Sequence, residues 1–227
     1  VTMIFPARVL AQRVLPEPLA RFVTEKYAAH GVRLLAGDVP AAIVQSGPRY
    51  TTITKSGENI ESDLVVVGVG IQPAIALAQL AGLAVGDGIV VDDRLRTSDA
   101  DIYAAGDNAF FPYAALAKST RVEHWDNALH QGKHAGRNMA GADEPYLHMP
   151  FFFSDLFDFG YEAVGEVDAR LETFTDWQET FTKGVIYYLA GGRVRGAMMC
   201  NVWEKVDAAR ALIRAGASTA DLQGAIR

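Results

Sequence analysis

The chain of 227 residues contains a single cysteine, Cys200. That excludes an intrachain disulfide, a two-cysteine redox motif and a cysteine-built zinc site. Cys200 stands in the apolar run Ala197-Met198-Met199-Cys200, where a thiol behaves as a small buried hydrophobe. No apolar stretch approaches the roughly 18 residues of a membrane-spanning helix. No lysine/arginine run is present and the formal charge is −6, which argues against nucleic acid or an anionic membrane surface as the main partner. The G-x-G-x-x-G fingerprint is also missing. Gly68-Val69-Gly70 runs on to Pro73, and Gly86-Asp87-Gly88 to Val91. Without a glycine turn opening a long helix, this chain alone is expected not to hold a dinucleotide tightly.

What is present reads as an ordinary globular chain, half apolar and 21% charged. Val1–Phe5 reads as a buried strand closed by Pro6, with no signal-peptide pattern ahead of it. The chain is therefore read as part of a longer protein, and the low cysteine usage fits a cytoplasmic setting. Pro16 to His30 is predicted as an amphipathic helix ended by Gly31, followed by short strands near 32–35, 41–45 and 50–55. Asp63–Val69 is apolar without alternation, the pattern of a strand covered on both faces. It leads through Gly70 and Pro73 into a short helix ending at Leu80. Further strands are expected at 89–91 and 102–105. A long helix is expected over Val122 to Ala140. Its stripe Trp125, Ala128, Leu129, Gly132, Ala135, Gly136 and Met139 is expected to take a close-packed neighbour.

Beyond Gly141 the chain turns aromatic and glycine-rich, and the diglycine Gly191-Gly192 between two strand patterns marks a β-hairpin. Arg170–Thr182 reads as a connector. A helix over Glu204–Ala215 stops at Gly216, and a final helix over 219–226 has Ser218 as its cap. The expected organisation is α/β. Residues 1–72 and 73–145 form partial doubly wound nucleotide-binding segments, and 146–227 form a smaller α+β domain.

Asp101-Ile102-Tyr103-Ala104-Ala105-Gly106-Asp107 carries the most chemistry. An apolar strand ends in a glycine and a carboxylate, where a doubly wound sheet places its ligands. Gly106 lets a flat ligand approach the backbone, and Asp107 offers an acceptor to a sugar or ribitol hydroxyl. A strand-ending aspartate is equally a turn residue. Val122-Glu123-His124-Trp125-Asp126-Asn127 opens the long helix. Acids there suit the helix dipole, and free N–H groups there also suit a developing negative charge such as that of a reduced flavin. His30, His130, His134 and His148 stand singly, and no metal site is expected. The Phe151-Phe152-Phe153 run reads equally as core or as cofactor wall.

In their order and spacing, Val1–Leu15, Gly68–Pro73, Ala105-Gly106-Asp107, Val122–Ala128, Pro150–Asp155 and Gly160–Gly165 resemble the FAD- and NAD(P)H-dependent oxidoreductases. The resemblance is to apoptosis-inducing-factor-like reductases and the ferredoxin reductases of oxygenase systems, and it runs nearly end to end. It implies that Gly106 and Asp107 face the flavin ribitol, that His124 and Trp125 lie against the flavin, and that Phe153 stacks beside it. It implies that Gly70, Glu123 and Glu162 contact the nicotinamide nucleotide, and that an unidentified acceptor such as a ferredoxin-like protein, a quinone or oxygen takes the electrons. The family often carries an acid after the second strand of its NAD domain. Here Phe5-Pro6 is followed by Ala7 and Arg8, with Arg13 nearby, so NADPH is expected to serve at least as well as NADH. Phe153 stands where tryptophan is common, which keeps stacking and removes an indole N–H. The missing N-terminal half of the same protein is a further expected partner. A second expectation is a non-catalytic folded fragment acting as a dimerisation or interaction module, self-associating as a homodimer through open sheet edges.

Overall fold

The computed structural model describes residues 1–227 and divides the chain into two units: Val1–Ile71 with Asp168–Arg170, and Gln72–Val167 with Leu171–Arg227. In the first unit, β1 (Thr2–Phe5) pairs in parallel with β2 (Arg33–Ala36), Thr2 opposite Arg33 and Phe5 opposite Ala36. Parallel pairing needs a long crossover, and α1 (Glu17–Ala29) supplies it. Pro16 and Pro18 suit its start, where N–H groups lack intrahelical partners, and Leu19, Ala20 and Val23 are its buried face. Gly31, at φ +80°, takes the left-handed turn that ends it. An antiparallel meander follows: β3 (Pro40–Ser46), β4 (Arg49–Thr54) and β5 (Asn59–Ser62).

Two expectations fail here. The strand after the Ser56-Gly57 turn is β5, which the sequence reading passed over. The apolar run at 63–69 forms no strand. Leu64, Val66 and Val69 are 74, 86 and 81% exposed. The run lacks any paired strand, and a strand without a ladder cannot satisfy its own backbone.

The second unit opens with α2 (Ala76–Leu80) and a four-stranded sheet of β6 (Val85–Gly86), β7 (Gly88–Val90), β8 (Ala109–Tyr113) and β9 (Lys118–Thr120). The expected strand at 102–105 is reduced to one bridge, Tyr103 with Arg96. Ala105 stays extended and leads into a tight turn over Gly106–Asn108. The long helix is α3 (Trp125–Met139), with extended His124 ahead of it. Its expected packing stripe is covered only in part, and polar residues supply most of the buried face. Asp126, Asn127, Gln131, His134 and Asn138 are buried along with Ala135, while Trp125 and Met139 are exposed. Gly132 and Gly136 meet no neighbour within 4 Å. Buried polar groups bind the helix because each finds a hydrogen-bond partner: Asn138 Nδ2 donates to Arg94 O and Glu144 O, both at 2.9 Å.

A five-stranded antiparallel sheet completes the unit: β10 (Phe151–Leu156), β11 (Phe159–Gly165), β12 (Glu172–Glu179), β13 (Lys183–Ala190) and β14 (Arg193–Cys200). Its order is β10-β11-β14-β13-β12. The connector expected at 170–182 is in fact mostly the edge strand β12. The Gly191-Gly192 turn has both residues at positive φ, +57° and +70°, as a tight hairpin of this hand requires. Gly196 is fixed by crowding, since a Cβ there would lie 2.2 Å from the Glu166 carbonyl oxygen. The helix α4 (Val206–Ala215) ends at left-handed Gly216 and covers the sheet with Ala209 and Ile213. The final helix shrinks to one turn at Thr219–Asp221, where the Ser218 N–H and hydroxyl donate to the Asp221 carboxylate at 2.9 and 2.8 Å.

Candidate functional site

The start of α3 and the start of β10 form two walls of one pocket. Glu123, His124, Trp125 and Asp126 line one side, Phe151, Phe152 and Phe153 the other, around a cavity of 310 Å³. Two rings meet across it, His124 and Phe152, with centroids 4.6 Å apart. Trp125 and Phe153 stay 74 and 63% exposed, so two large aromatic surfaces are available to a flat ligand. Exposed apolar surface of this size beside polar groups is the usual mark of a binding site.

Two polar atoms, one on the pocket wall and one on the strand beside it, are unfinished. His124 Nδ1 and Glu162 Oε2 are buried without a hydrogen-bond partner, an arrangement that is destabilising unless a ligand completes it. Burial lowers the pKa of His124, opposed by the charges of Asp107, Asp126 and Glu123. Glu162 lies directly across the β10–β11 ladder from Phe153. Burial raises its carboxyl above the usual range. The Glu204 charge adds to this, while the Glu204 backbone N–H, donating to the carboxylate, pulls the other way. Glu204 holds that N–H in a left-handed conformation, φ +61°.

The Gly106–Asp107 turn is tied to α3. Gly106, at φ +81°, is buried, and a Cβ there would approach Ala128 at 3.4 Å. Its N–H donates to Gln131 Oε1 at 2.7 Å. Arg121 Nη1 donates to the Asp107 carbonyl at 2.8 Å, and Nη2 pairs with Glu123 at 2.7 Å. The Asp107 side chain is exposed. Thus Gly106, Asp107, Glu123, His124, Trp125, Phe153 and Glu162 all fall within the second unit. Gly70 and Arg8 belong to the first. Gly70 is exposed at φ +100°. Arg8 is exposed beyond the end of β1, its N–H donating to Gln12 Oε1 at 3.1 Å.

Sequence reasoning missed Arg121, Asp126, Gln131 and His148. It treated His130 and His148 as single histidines, yet their rings stack with centroids 3.8 Å apart and both face Asp126. Gln131 had a weak signal: a long amide four residues after Asn127 on a face that must be buried. The histidine pair had none, because 18 residues separate its members.

Residues 1–132 match the pyridine nucleotide-disulphide oxidoreductase family, and residues 135–179 match the mitochondrion-associated C-terminal domain of apoptosis-inducing factor. The chain belongs to the pyridine nucleotide-disulphide oxidoreductase family. It is 34% identical over 218 residues to the ferredoxin–NAD(+) reductase component of the anthranilate 1,2-dioxygenase system of Burkholderia cepacia, covering 96% of this chain and 54% of that protein. It is 34% identical over 230 residues to the mitochondrial apoptosis-inducing factor 1 of Dictyostelium discoideum, covering 94% and 43%. Among solved structures it resembles the ferredoxin reductase for the CYP199A2 system from Rhodopseudomonas palustris. The TM-score there is 0.86 at 27% identity, with 96% of this chain and 55% of that one covered. The chain spans about half the length of these relatives.

Proposed function

We propose that this chain is the C-terminal part of an FAD-dependent NAD(P)H oxidoreductase that passes electrons to a separate acceptor. The observation that carries the reading is the pocket at the start of α3, with two exposed aromatic faces and a buried, unpartnered ring nitrogen on His124. These groups fit a flat, hydrogen-bonding heteroaromatic ring. The cofactor supplies the redox chemistry, accepting a hydride equivalent from nicotinamide and releasing electrons. The chain's own residues bind and orient. Asp107 accepts hydrogen bonds from ribitol hydroxyls, and the bare Gly106 backbone permits close approach. Trp125 and Phe153 stack and exclude water, and His124 presents a ring nitrogen. Glu123 and Glu162 hold the nicotinamide nucleotide. No protein nucleophile is needed, and Cys200 has no second cysteine within this chain to pair with.

Arg8 at the end of β1, with no acid beside it, supports use of NADPH, tested by kcat/KM for NADPH against NADH. Similarity to ferredoxin reductases supports a ferredoxin-like acceptor. We assign 1–72 to the NAD(P)-binding part, 73–145 to the FAD-binding part and 146–227 to the C-terminal domain.

The deciding experiment is the visible spectrum of the full encoded protein incubated with FAD, before and after anaerobic NADPH. Flavin bands that bleach on addition support the oxidoreductase. Protein that stays colourless after reconstitution overturns it. The competing reading, a non-catalytic pairing module, draws on the exposed apolar run at Leu64–Ile71 and would then stand.

A further inference from the structure

One carboxylate ties the two walls of the pocket together. Asp126 is the second residue of α3 and its side chain is 7% exposed. Its Oδ2 accepts from His148 Nε2 at 2.5 Å and from the N–H of Phe151, the first residue of β10, at 3.3 Å. Its Oδ1 lies 3.3 Å from His130 Nδ1. Arg210 of α4 approaches Oδ2 at 3.9 Å and donates from Nε to the Met149 carbonyl at 2.8 Å. Tyr146 adds a bond to Asn127 at 3.1 Å. The contacts of His148, Phe151, Tyr146 and Met149 join the segment Tyr146–Phe151 to the first turns of α3 or to α4, while His130 and Arg210 hold the Asp126 carboxylate from α3 itself and from α4.

The three side chains Asp126, His130 and His148 bring their ligating atoms within 4.8 Å of one another. A metal does not suit them as placed. Stacked rings tilted by only 13° send their nitrogen lone pairs side by side rather than toward one point, and the Arg210 guanidinium repels a cation. A hydrogen-bonded clamp does suit them, because a buried carboxylate is tolerated only when several donors surround it.

We propose that Asp126, held by His148, is a positioning residue that sets the distance between the His124–Trp125 wall and the Phe151–Phe153 wall, and so fixes the width of the ring-binding slot. The proposal rests on the flavin reading above. Neither residue touches the ligand in this assignment. Their effect travels through the Phe151 backbone, and a displaced wall loses stacking contact over its whole face.

The test uses the full-length protein freed of its flavin, and riboflavin, whose fluorescence is quenched by stacking against Trp125. Asp126→Asn and His148→Gln are each expected to weaken riboflavin binding by about tenfold, the scale of one charge-assisted hydrogen bond. The double variant is expected to bind no more weakly than the worse single one, since both substitutions break the same clamp. Phe151 amide protection in hydrogen exchange should fall in all three variants, with protection of β13 unchanged. Multiplying effects in the double variant, or unchanged affinity in either single one, would overturn the proposal. Wild-type full-length protein that takes up no riboflavin refutes the flavin reading instead. The nuclear Overhauser contact between the His124 and Phe152 rings then decides the clamp, and its persistence in Asp126→Asn refutes it.

Discussion

The strand β13 and the run Leu64–Ile71 are both apolar almost throughout, and the structure treats them oppositely. Val185, Ile186, Tyr187 and Tyr188 are fully buried, whereas Leu64, Val66 and Val69 are exposed by three quarters or more. β13 has a hydrogen-bonded neighbour on each side, β12 and β14. Leu64–Ile71 has neither ladder nor cover. A continuous apolar pattern thus states how much cover a segment needs, and other segments decide whether it is met. Helix α3 teaches the same lesson in reverse. Gly132, Gly136 and Met139 of its small-residue stripe are open while its polar face is buried, because Gln131 and Asn138 find specific partners.

The comparison is broken most severely in the sealed sheet. Tyr187→Ala should cost about 3–5 kcal/mol of unfolding free energy, the range for emptying an aromatic core site, read from urea denaturation. A cost near zero would mean that the sheet is far looser than its burial implies.

Next in size is the turn that joins the irregular Ile102–Ala105 segment to α3. Asp107→Ala should leave folding nearly unchanged, because its side chain is exposed. In the full-length protein it should weaken flavin retention by about 1.5–3 kcal/mol, the worth of a charge-assisted hydrogen bond. Equilibrium dialysis against FAD measures this, and equal occupancy in the variant would remove Asp107 from the site.

A smaller effect follows from Glu166, just beyond β11. Burial opposes its ionisation. Hydrogen bonds and charges from Lys118 and Arg195 outweigh burial and hold its carboxyl below the ordinary value of 4.5. A depressed folded-state value gives stability that is full above the unfolded value and is lost as pH falls through the folded one. The urea midpoint should therefore decline with acidification below about pH 4.5, and Glu166→Gln should flatten part of that decline. An identical slope in the variant would exclude Glu166 as a source.

The smallest effect sharpens the contrast directly. Val66→Ala should change stability by less than about 0.5 kcal/mol, as expected for an exposed site. A loss above about 1 kcal/mol would show that the run is covered in solution, and concentration dependence of that loss would identify the cover as a second copy.

Signals carried by neighbouring residues were legible without any structure. The diglycine gave the β13–β14 hairpin, Gly216 the end of α4, and Gly31 the end of α1, because each depends on φ preferences of one or two residues. The joint order of Gly106-Asp107, Glu123-His124-Trp125 and Phe151–Phe153 named the family and gathered both pocket walls. Tertiary structure alone decided which apolar segments are covered, which face of α3 is inside, and that His148 and His130 share the Asp126 carboxylate. Those outcomes depend on groups far apart in the chain. Burial and hydrogen bonding are properties of pairs of surfaces, and a local pattern describes only one member of each pair.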